Sequence, residues 1–222
     1  SIRLRSPVTD IIMERFASTI QLGLVGLGFS VIIGLLFGTL AALKQNSWID
    51  LFSMAFSYIG VSMPIFWLGL LLILVFSFRL NWFPSAGGEG IRGLILPGIT
   101  LGLASAGIIS RLTRSGLIEV LNEDYIRTAR AKGMQEWKII IRHAMKNALI
   151  PVVTMVGLQF GSMLAGAVVT ETVFSRPGLG RLIVSAILWK DYPLVQGTVL
   201  FMALLYVSAN LLVDISYAYL DP

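Results

Sequence analysis

The chain has 222 residues, of which 56% are hydrophobic and 13% are charged, and its mean hydropathy is +0.82. This composition excludes an ordinary soluble domain and indicates a protein of the lipid bilayer. The net charge of +5 does not argue for nucleic acid, because basic residues gather in the cytoplasmic loops of membrane proteins. A sequence without cysteine also excludes disulfides, a thiol catalyst and a cysteine metal site.

Long uncharged runs predict the membrane spans of an all-α protein, since a helix needs about 20 apolar residues to cross the hydrocarbon. The run at 51–78 has Pro64 in its middle, which predicts a kink near Met63 because proline removes a backbone donor. We predict a single transmembrane domain, residues 1–222, with five spans at about 20–43, 51–78, 93–112, 147–170 and 192–213. Pairs of glycines four residues apart, such as Gly34 and Gly38, predict close helix packing within it.

Loop charge predicts which side of the membrane each loop occupies. Eight of the 17 Lys and Arg residues lie in residues 111–146, so this segment and the C-terminus are predicted to be cytoplasmic. The loop at 79–92, the segment at 171–191 and the N-terminus of the chain are then external. Arginines at the external start of a first span are unfavourable, which leads us to expect a further helix upstream.

The most polar interruption between spans is residues 122–146. Glu123 and Asp124 precede a predicted helix and basic residues end it, which suits the helix macrodipole. Gly133 is predicted to follow that helix in a left-handed conformation. A second, amphipathic helix is predicted to follow, with its apolar face against the membrane surface or another protein. Its apolar face is Met134, Trp137, Ile141 and Ala144, and its polar face is Gln135, Lys138, Arg142 and Lys146.

Four strings, in order along the chain, resemble one family. They are EDYIRTARAKG, RHAMKNALIPV, ETVFSRPGLGRL and DYPLVQG, which begin at residues 123, 142, 171 and 191. Together they resemble the permease subunits of ABC importers, in the version found in dipeptide, oligopeptide and nickel importers. The resemblance implies a type I ABC-importer permease bundle and one more N-terminal span in the family than the five predicted here.

The resemblance also implies a role for residues 124–133 as a coupling helix that docks on a cytoplasmic ATPase. Arg127, Thr128 and Ala129 stand where many permeases have a Glu-Ala-Ala triplet, and Gly133 is the glycine of that motif. The implied ATPase contacts are Glu123, Asp124, Tyr125, Arg127, Thr128, Ala129, Arg130, Lys132 and Gly133.

The function implied by the resemblance is ATP-driven import of dipeptides or oligopeptides by alternating access. The implied partners are a second homologous permease subunit, two cytoplasmic ATPase subunits and an extracytoplasmic substrate-binding protein, in a bacterial or archaeal cytoplasmic membrane. The sequence has no Gly-Lys dipeptide, which excludes a P-loop. We therefore expect no catalytic residue and no cofactor on this chain, with ATP and Mg²⁺ bound by the ATPase subunits.

Two alternatives remain open from the sequence. The same machinery could import nickel or a metal chelate, although His143 is the only histidine and no metal site is predicted. An alternative of another class is an ATP-independent channel or scaffold whose basic loop binds lipid headgroups.

Polar residues in and between the later spans supply the remaining candidates. Residues inside spans could line a translocation path, or could hydrogen-bond between helices instead. The path candidates are Gln159, Ser162, Thr154 and Ser62. By resemblance, the segment 171–191 lies close to an external gate, with Glu171, Arg176, Gly178 and Asp191 as the gate candidates. Within it, Ser175 is predicted to cap a short helix that begins at Pro177.

Overall fold

A computed structural model describes residues 1–88 and 90–220, without the side chains of residues 214 and 216–220. The described residues form helices joined by turns, which confirms the all-α class. The C-terminus, predicted to be cytoplasmic, lies outside the described residues. The helices are α1 (Val8–Leu43), α2 (Trp48–Ser62), α3 (Ile65–Leu72), α4 (Arg92–Leu121), α5 (Asp124–Ala131), α6 (Glu136–Lys138), α7 (Met145–Ala148), α8 (Ile150–Val173), α9 (Leu179–Leu188) and α10 (Tyr192–Leu220). Two π-helical segments, Ile73–Arg79 and Ile139–Ala144, extend α3 and join α6 to α7.

Four of these helices are long and apolar enough to cross a membrane: α1, α4, α8 and the Tyr192–Val213 part of α10. The run at 51–78 is broken into α2 and α3, and these count as a fifth span only if the two pieces cross the membrane together as one. Pro64 stands between α2 and α3 with an extended backbone, ψ 132°, and has no N–H to donate. The proline therefore interrupts the helix instead of only kinking it.

One compact unit comprises Ser1–Phe29, Met63–Gly102 and Gly157–Pro222. Its first core cluster joins the start of α1 to α9 and α10 through Ile11, Ile12, Leu179, Leu182, Ala186 and Leu194. Beside that cluster, Phe16 meets Phe201 edge to face, with ring centroids 5.6 Å apart. A second cluster packs α1 against α4 and α8 through Leu22, Leu101, Met163 and Ala167.

The other compact unit comprises Ser30–Ser62 and Leu103–Val156. Within it, a Cβ atom at Gly34 would lie 2.6 Å from the Ile109 side chain, and one at Gly38 would lie 2.5 Å from the Ser110 carbonyl. No side chain fits in that space, so glycine is required where α1 contacts α4. The close packing predicted from this glycine pair is confirmed. The core of this unit joins the end of α1 and α4 to α5, the second π-helical segment and α7, and its residues are Ala42, Leu117, Ile126, Ile139, Ala144 and Ala148.

Candidate functional site

Helix α5 is anchored by one apolar residue and exposes a polar surface. The Ile126 side chain is fully buried in the cluster that contains Leu117 and Ile139. Ala129, one turn later, is partly buried against the same cluster. We call the exposed face of this helix the coupling surface, and its residues are Asp124, Tyr125, Arg127, Thr128, Arg130 and Lys132. A single anchored helix thus presents most of the residues that the sequence assigned to ATPase contact.

Helix α5 is fixed by a left-handed glycine after its last turn and by one polar contact near each end. Gly133 has φ +75°, which confirms the predicted conformation at this position. The Arg130 Nε atom donates to Glu136 Oε1 at 2.6 Å across the turn, and Asn147 Nδ2 donates to the Tyr125 hydroxyl at 2.8 Å. Beside Tyr125, at the start of α5, Glu123 is the N-cap residue, although its side chain makes no capping hydrogen bond. The coupling surface is therefore held in place at both of its exposed ends.

The segment after Gly133 is helical, as predicted. Of its predicted apolar face, Trp137 and Ile141 are 58% and 62% exposed, whereas Ala144 is buried within the chain. The buried side chains include Ile139 and Ala144, which are five residues apart. This spacing fits the π-helical segment, in which the Met145 amide donates to the Ile140 carbonyl. The side chains that this segment buries within the chain therefore follow the π-helical spacing, and contact of Trp137 and Ile141 with the membrane or with another protein stays a prediction.

Glu171, a gate candidate, is a fully buried carboxylate at the end of α8. It accepts hydrogen bonds from the Thr19 hydroxyl at 2.6 Å, the Gly180 amide at 2.8 Å and the Arg181 amide at 3.2 Å. The Thr19 hydroxyl oxygen in turn accepts from the Leu179 amide at 2.9 Å. Glu171 and Thr19 thus satisfy the free amides at the start of α9 and tie that helix to α8 and α1.

This arrangement corrects the predicted cap of the short helix. The helix begins at Leu179 with Gly178 as its N-cap residue, and Ser175 instead has φ +53° and accepts from Arg181 Nη1 through its carbonyl at 2.6 Å. A side chain from another helix does the capping because Gly178 has none to offer. A Cβ atom at Gly178 would overlap the Glu171 carboxylate, so glycine is required for the approach.

Asp191 is a buried cap at the start of α10. Its carboxylate accepts from the Ser1 hydroxyl, from the Arg3 amide at 3.1 Å and from the Leu194 amide at 3.4 Å. The Ser1 hydrogen bond is the main reason that the pKa of Asp191 is lowered to about 2, and the backbone amides add to it. Three gate candidates, Glu171, Gly178 and Asp191, therefore hold helix ends, and their gate role stays a prediction.

The path candidates lie in different environments. Ser162 is exposed on α8, three residues after the partly buried Gln159, so these two side chains are neighbours on one helix. Thr154 donates back to the Ile150 carbonyl at 3.4 Å, and Ser62 is exposed at the end of α2. The path role of all four residues stays a prediction.

An ion pair that the sequence reasoning missed joins the start of α2 to α4. The Arg114 guanidinium donates from Nε and Nη2 to the two Asp50 carboxylate oxygens, both at 2.7 Å. Asp50 is buried, and it also accepts from the Asn46 amide at 3.0 Å. The sequence did contain a signal for this ion pair, because the predicted topology places Asp50 and Arg114 at span ends on the same side of the membrane.

The chain is similar to proteins of one known family. Residues 34–222 match the family described as binding-protein-dependent transport system inner membrane component. The chain is 46% identical to the glutathione transport system permease protein GsiC of Escherichia coli (strain K12) over 98% of this chain and 71% of that protein. It is 44% identical to the dipeptide transport system permease protein DppB of Alkalihalophilus pseudofirmus over 100% of this chain and 75% of that protein.

Solved structures of more distant proteins share the fold. One is an inward-facing conformation of the MetNI methionine ABC transporter, with a TM-score of 0.80, 17% identity and coverage of 98% of this chain and 99% of that one. Another is an amino acid ABC transporter, with a TM-score of 0.72, 14% identity and coverage of 95% and 94%. At these identities the likeness concerns the fold alone, and the fold is that of ABC-importer permeases.

Proposed function

Because this chain belongs to the family of binding-protein-dependent transport system inner membrane components, we propose that it imports short peptides. The chain is a multi-pass membrane permease subunit of an ABC importer. The observation that carries the substrate class is its 46% and 44% identity to permeases named for glutathione, a tripeptide, and for dipeptides. Peptides of two or three residues are the class that both names share. Neither a metal chelate nor an ATP-independent channel is favoured by these relatives.

As an ABC-importer permease, the chain works with ATPase and binding-protein partners. We propose that it pairs with a second, similar permease and that two ATPase subunits bind ATP and Mg²⁺. The coupling surface is the proposed ATPase contact, because it is exposed and polar, and because Ile126 anchors its helix to α4. Movement of α5 would then reach α4 and α7, the short helix that precedes α8, through this packing, and so drive alternating access.

The orientation proposed for the membrane places the coupling surface in the cytoplasm. The support is the excess of Lys and Arg in residues 111–146, which contain eight of the 17 basic residues. The loop at 79–92 and the segment at 171–191 are then external, on the side from which a binding protein delivers substrate.

Affinity purification tests the ATPase contact. Deletion of residues 124–132, or Gly133→Arg, should abolish recovery of the ATPase subunits with the tagged permease, because the first removes the coupling surface and the second forces a side chain into a left-handed position. Ala86→Arg, in the loop predicted to be external, is the control and should leave recovery unchanged. Equal ATPase recovery in all variants would contradict the proposed contact.

Uptake in a strain that lacks this permease tests the substrate class. Complementation by the intact protein should restore uptake of a labelled dipeptide or of labelled glutathione, and should leave nickel uptake unchanged. Restored nickel uptake without peptide uptake would overturn the peptide proposal.

A further inference from the structure

The ion pair between Asp50 and Arg114 lies in the compact unit that also contains the coupling surface. Both carboxylate oxygens of Asp50 accept from the Arg114 guanidinium, a two-bond arrangement that fixes direction as well as distance. Asp50 is only 6% exposed, and the Asn46 amide donates to the same carboxylate at 3.0 Å. The start of α2 is therefore attached to α4 at one defined point.

Farther along α2, two close contacts with α4 involve glycine. A Cβ atom at Gly107 of α4 would overlap the Ser57 carbonyl of α2. One at Gly60 of α2 would lie 3.1 Å from the Leu103 side chain of α4. Such contacts bring two helices close together but insert no long side chain between the turns of the neighbour, so they resist separation more than sliding. Sliding of packed helices is a common form of conformational change, and the ion pair opposes it here.

Arg114 also lies next to the residue through which α4 contacts α5. Leu117 follows Arg114 by three residues, so the two side chains are neighbours on the surface of α4. Leu117 is fully buried in the cluster that contains Ile126, the anchor of α5. A shift of α5 that moves α4 at Leu117 therefore also moves the Arg114 guanidinium, and with it the start of α2.

We propose that Asp50 and Arg114 are positioning residues, which hold α2 in register with α4 so that α2 follows the movement that the ATPases impose on α5. The inference rests on the proposed function, which supplies that movement. It adds α2 to the elements that the coupling surface drives. It also gives the ion pair a role in transport in addition to its contribution to stability.

The first test measures coupling in proteoliposomes that contain the complete importer and its binding protein. Asp50→Asn and Arg114→Gln should each lower the uptake of L-Ala-L-Ala per ATP hydrolysed by roughly tenfold, which lies within the usual range of coupling between two sites. Recovery of ATPase subunits with the tagged permease should stay unchanged, because both variants leave the coupling surface intact. A role in stability alone would lower the abundance of the permease and leave the uptake per ATP unchanged.

Glu119→Gln is the matched control for the loss of a charge. Glu119 is an exposed acid of the same helix, α4, so this change should alter neither the uptake per ATP nor the recovery of ATPase subunits.

The absence of cysteine from the sequence allows the ion pair to be replaced by a reversible cross-link. The protein with Asp50→Cys and Arg114→Cys should show the same loss of coupling as the single variants. A short bifunctional methanethiosulfonate that joins the two thiols should restore the uptake per ATP, and dithiothreitol should abolish that gain by reducing the link. A cross-link that blocks transport would show that the ion pair has to open during the cycle, and would overturn the proposal.

A second cysteine pair measures the register of α2 on α4 without any substrate. The Arg111 guanidinium lies 5.2 Å from the centre of the Tyr58 ring, so Tyr58→Cys with Arg111→Cys places two thiols within reach of the same cross-linker. While Asp50 and Arg114 are intact, the cross-linking yield should be equal with and without an ATP analogue that holds the ATPases closed. In the Asp50→Asn background, the analogue should cause a loss of yield, because α2 no longer follows α4.

The remaining outcomes separate this proposal from the proposed function. Unchanged uptake per ATP in Asp50→Asn and Arg114→Gln would overturn the positioning role alone, and so would an equal cross-linking yield with and without the analogue in the Asp50→Asn background. No uptake of any short peptide by the unaltered importer would overturn the proposed function. The cross-linking yields between positions 58 and 111 would then still decide whether the ion pair holds the register of α2.

Discussion

At the residue scale, the main feature is a buried carboxylate that replaces a local helix cap. Glu171 is fully buried, and such a group is tolerated only when hydrogen-bond donors surround it. Thr19 and two amides of α9 supply those donors, and Gly178 makes room for them. The carboxylate, the Thr19 hydroxyl and the two amides therefore fit together only because Gly178 carries no side chain.

Gly178→Ala should destabilise the protein by about 1 to 3 kcal/mol, because the added methyl group overlaps the Glu171 carboxylate. The matched control is Gly28→Ala in α1, where a Cβ atom meets nothing within 4 Å, so this change should be neutral or slightly stabilising. Thermal melting of the purified complex measures both. Equal melting temperatures for the two variants would contradict the assigned packing.

Asp191 gives a pH dependence with a definite sign. Its pKa is lowered from 3.8 to about 2, so its stabilising contribution is complete above the unfolded value and is lost as the pH falls toward the folded one. The difference in melting temperature between the wild type and Asp191→Asn should stay constant from about pH 6 to about pH 8 and narrow below about pH 4. A difference that narrows between pH 6 and pH 8 would show that another group is responsible.

All four gate candidates could be placed in one segment from the sequence, but the residues to which they hydrogen-bond could not be predicted. Thr19 and Glu171 are 152 residues apart, and no local pattern records a hydrogen bond across that distance. The cap predicted from Ser175 was wrong for the same reason, since the real cap comes from other helices. Sequence patterns did predict the features that depend only on neighbouring residues, such as the left-handed conformation of Gly133.

At the element scale, α5 combines a buried anchor with an exposed surface. The charge pattern at its ends and the glycine after it were sufficient to predict the helix, because these features act within one or two turns. The next helix contains a π-helical segment, which the sequence did not predict. This segment changes the number of residues per turn, and the side chains that it buries, Ile139 and Ala144, are five residues apart.

Substitutions at two isoleucines, one buried and one exposed, test whether the anchoring of α5 matters for ATPase contact. Ile126→Ala should cost about 2 to 5 kcal/mol locally, because Ile126 is fully buried, and should reduce ATPase recovery with the tagged permease. Ile141→Ala is the matched control: this side chain is 62% exposed, so the change should alter stability by less than about 0.5 kcal/mol. If Ile126→Ala retains full ATPase recovery, the anchoring of α5 is not needed for the contact.

At the scale of the whole molecule, the amino-acid composition predicted a membrane protein, and the charge of the loops is the basis of the proposed orientation in the membrane. Hydropathy was sufficient to find the apolar helices, because each must satisfy its own backbone inside the bilayer. The interruption at Pro64 was underestimated, since the sequence gives the position of a proline but not how far the surrounding chain lets the helix break.

Single cysteines test the proposed orientation. With impermeant maleimide on intact cells, Ala86→Cys should be labelled and Lys44→Cys should be labelled only after the membrane is opened, because the charge pattern puts them on opposite sides. Both positions are exposed on the chain, so access is set by the membrane side. The reverse pattern would contradict the orientation and would move the coupling surface outside.

The most direct test of the peptide-import function is transport by the purified importer in proteoliposomes, with its binding protein on the outside. We predict that labelled dipeptide accumulates inside only when hydrolysable ATP is supplied to the ATPase side, and that a non-hydrolysable analogue supports no accumulation. Dipeptide entry that is equally fast without ATP, or no ATP-dependent accumulation of any short peptide, would contradict that function.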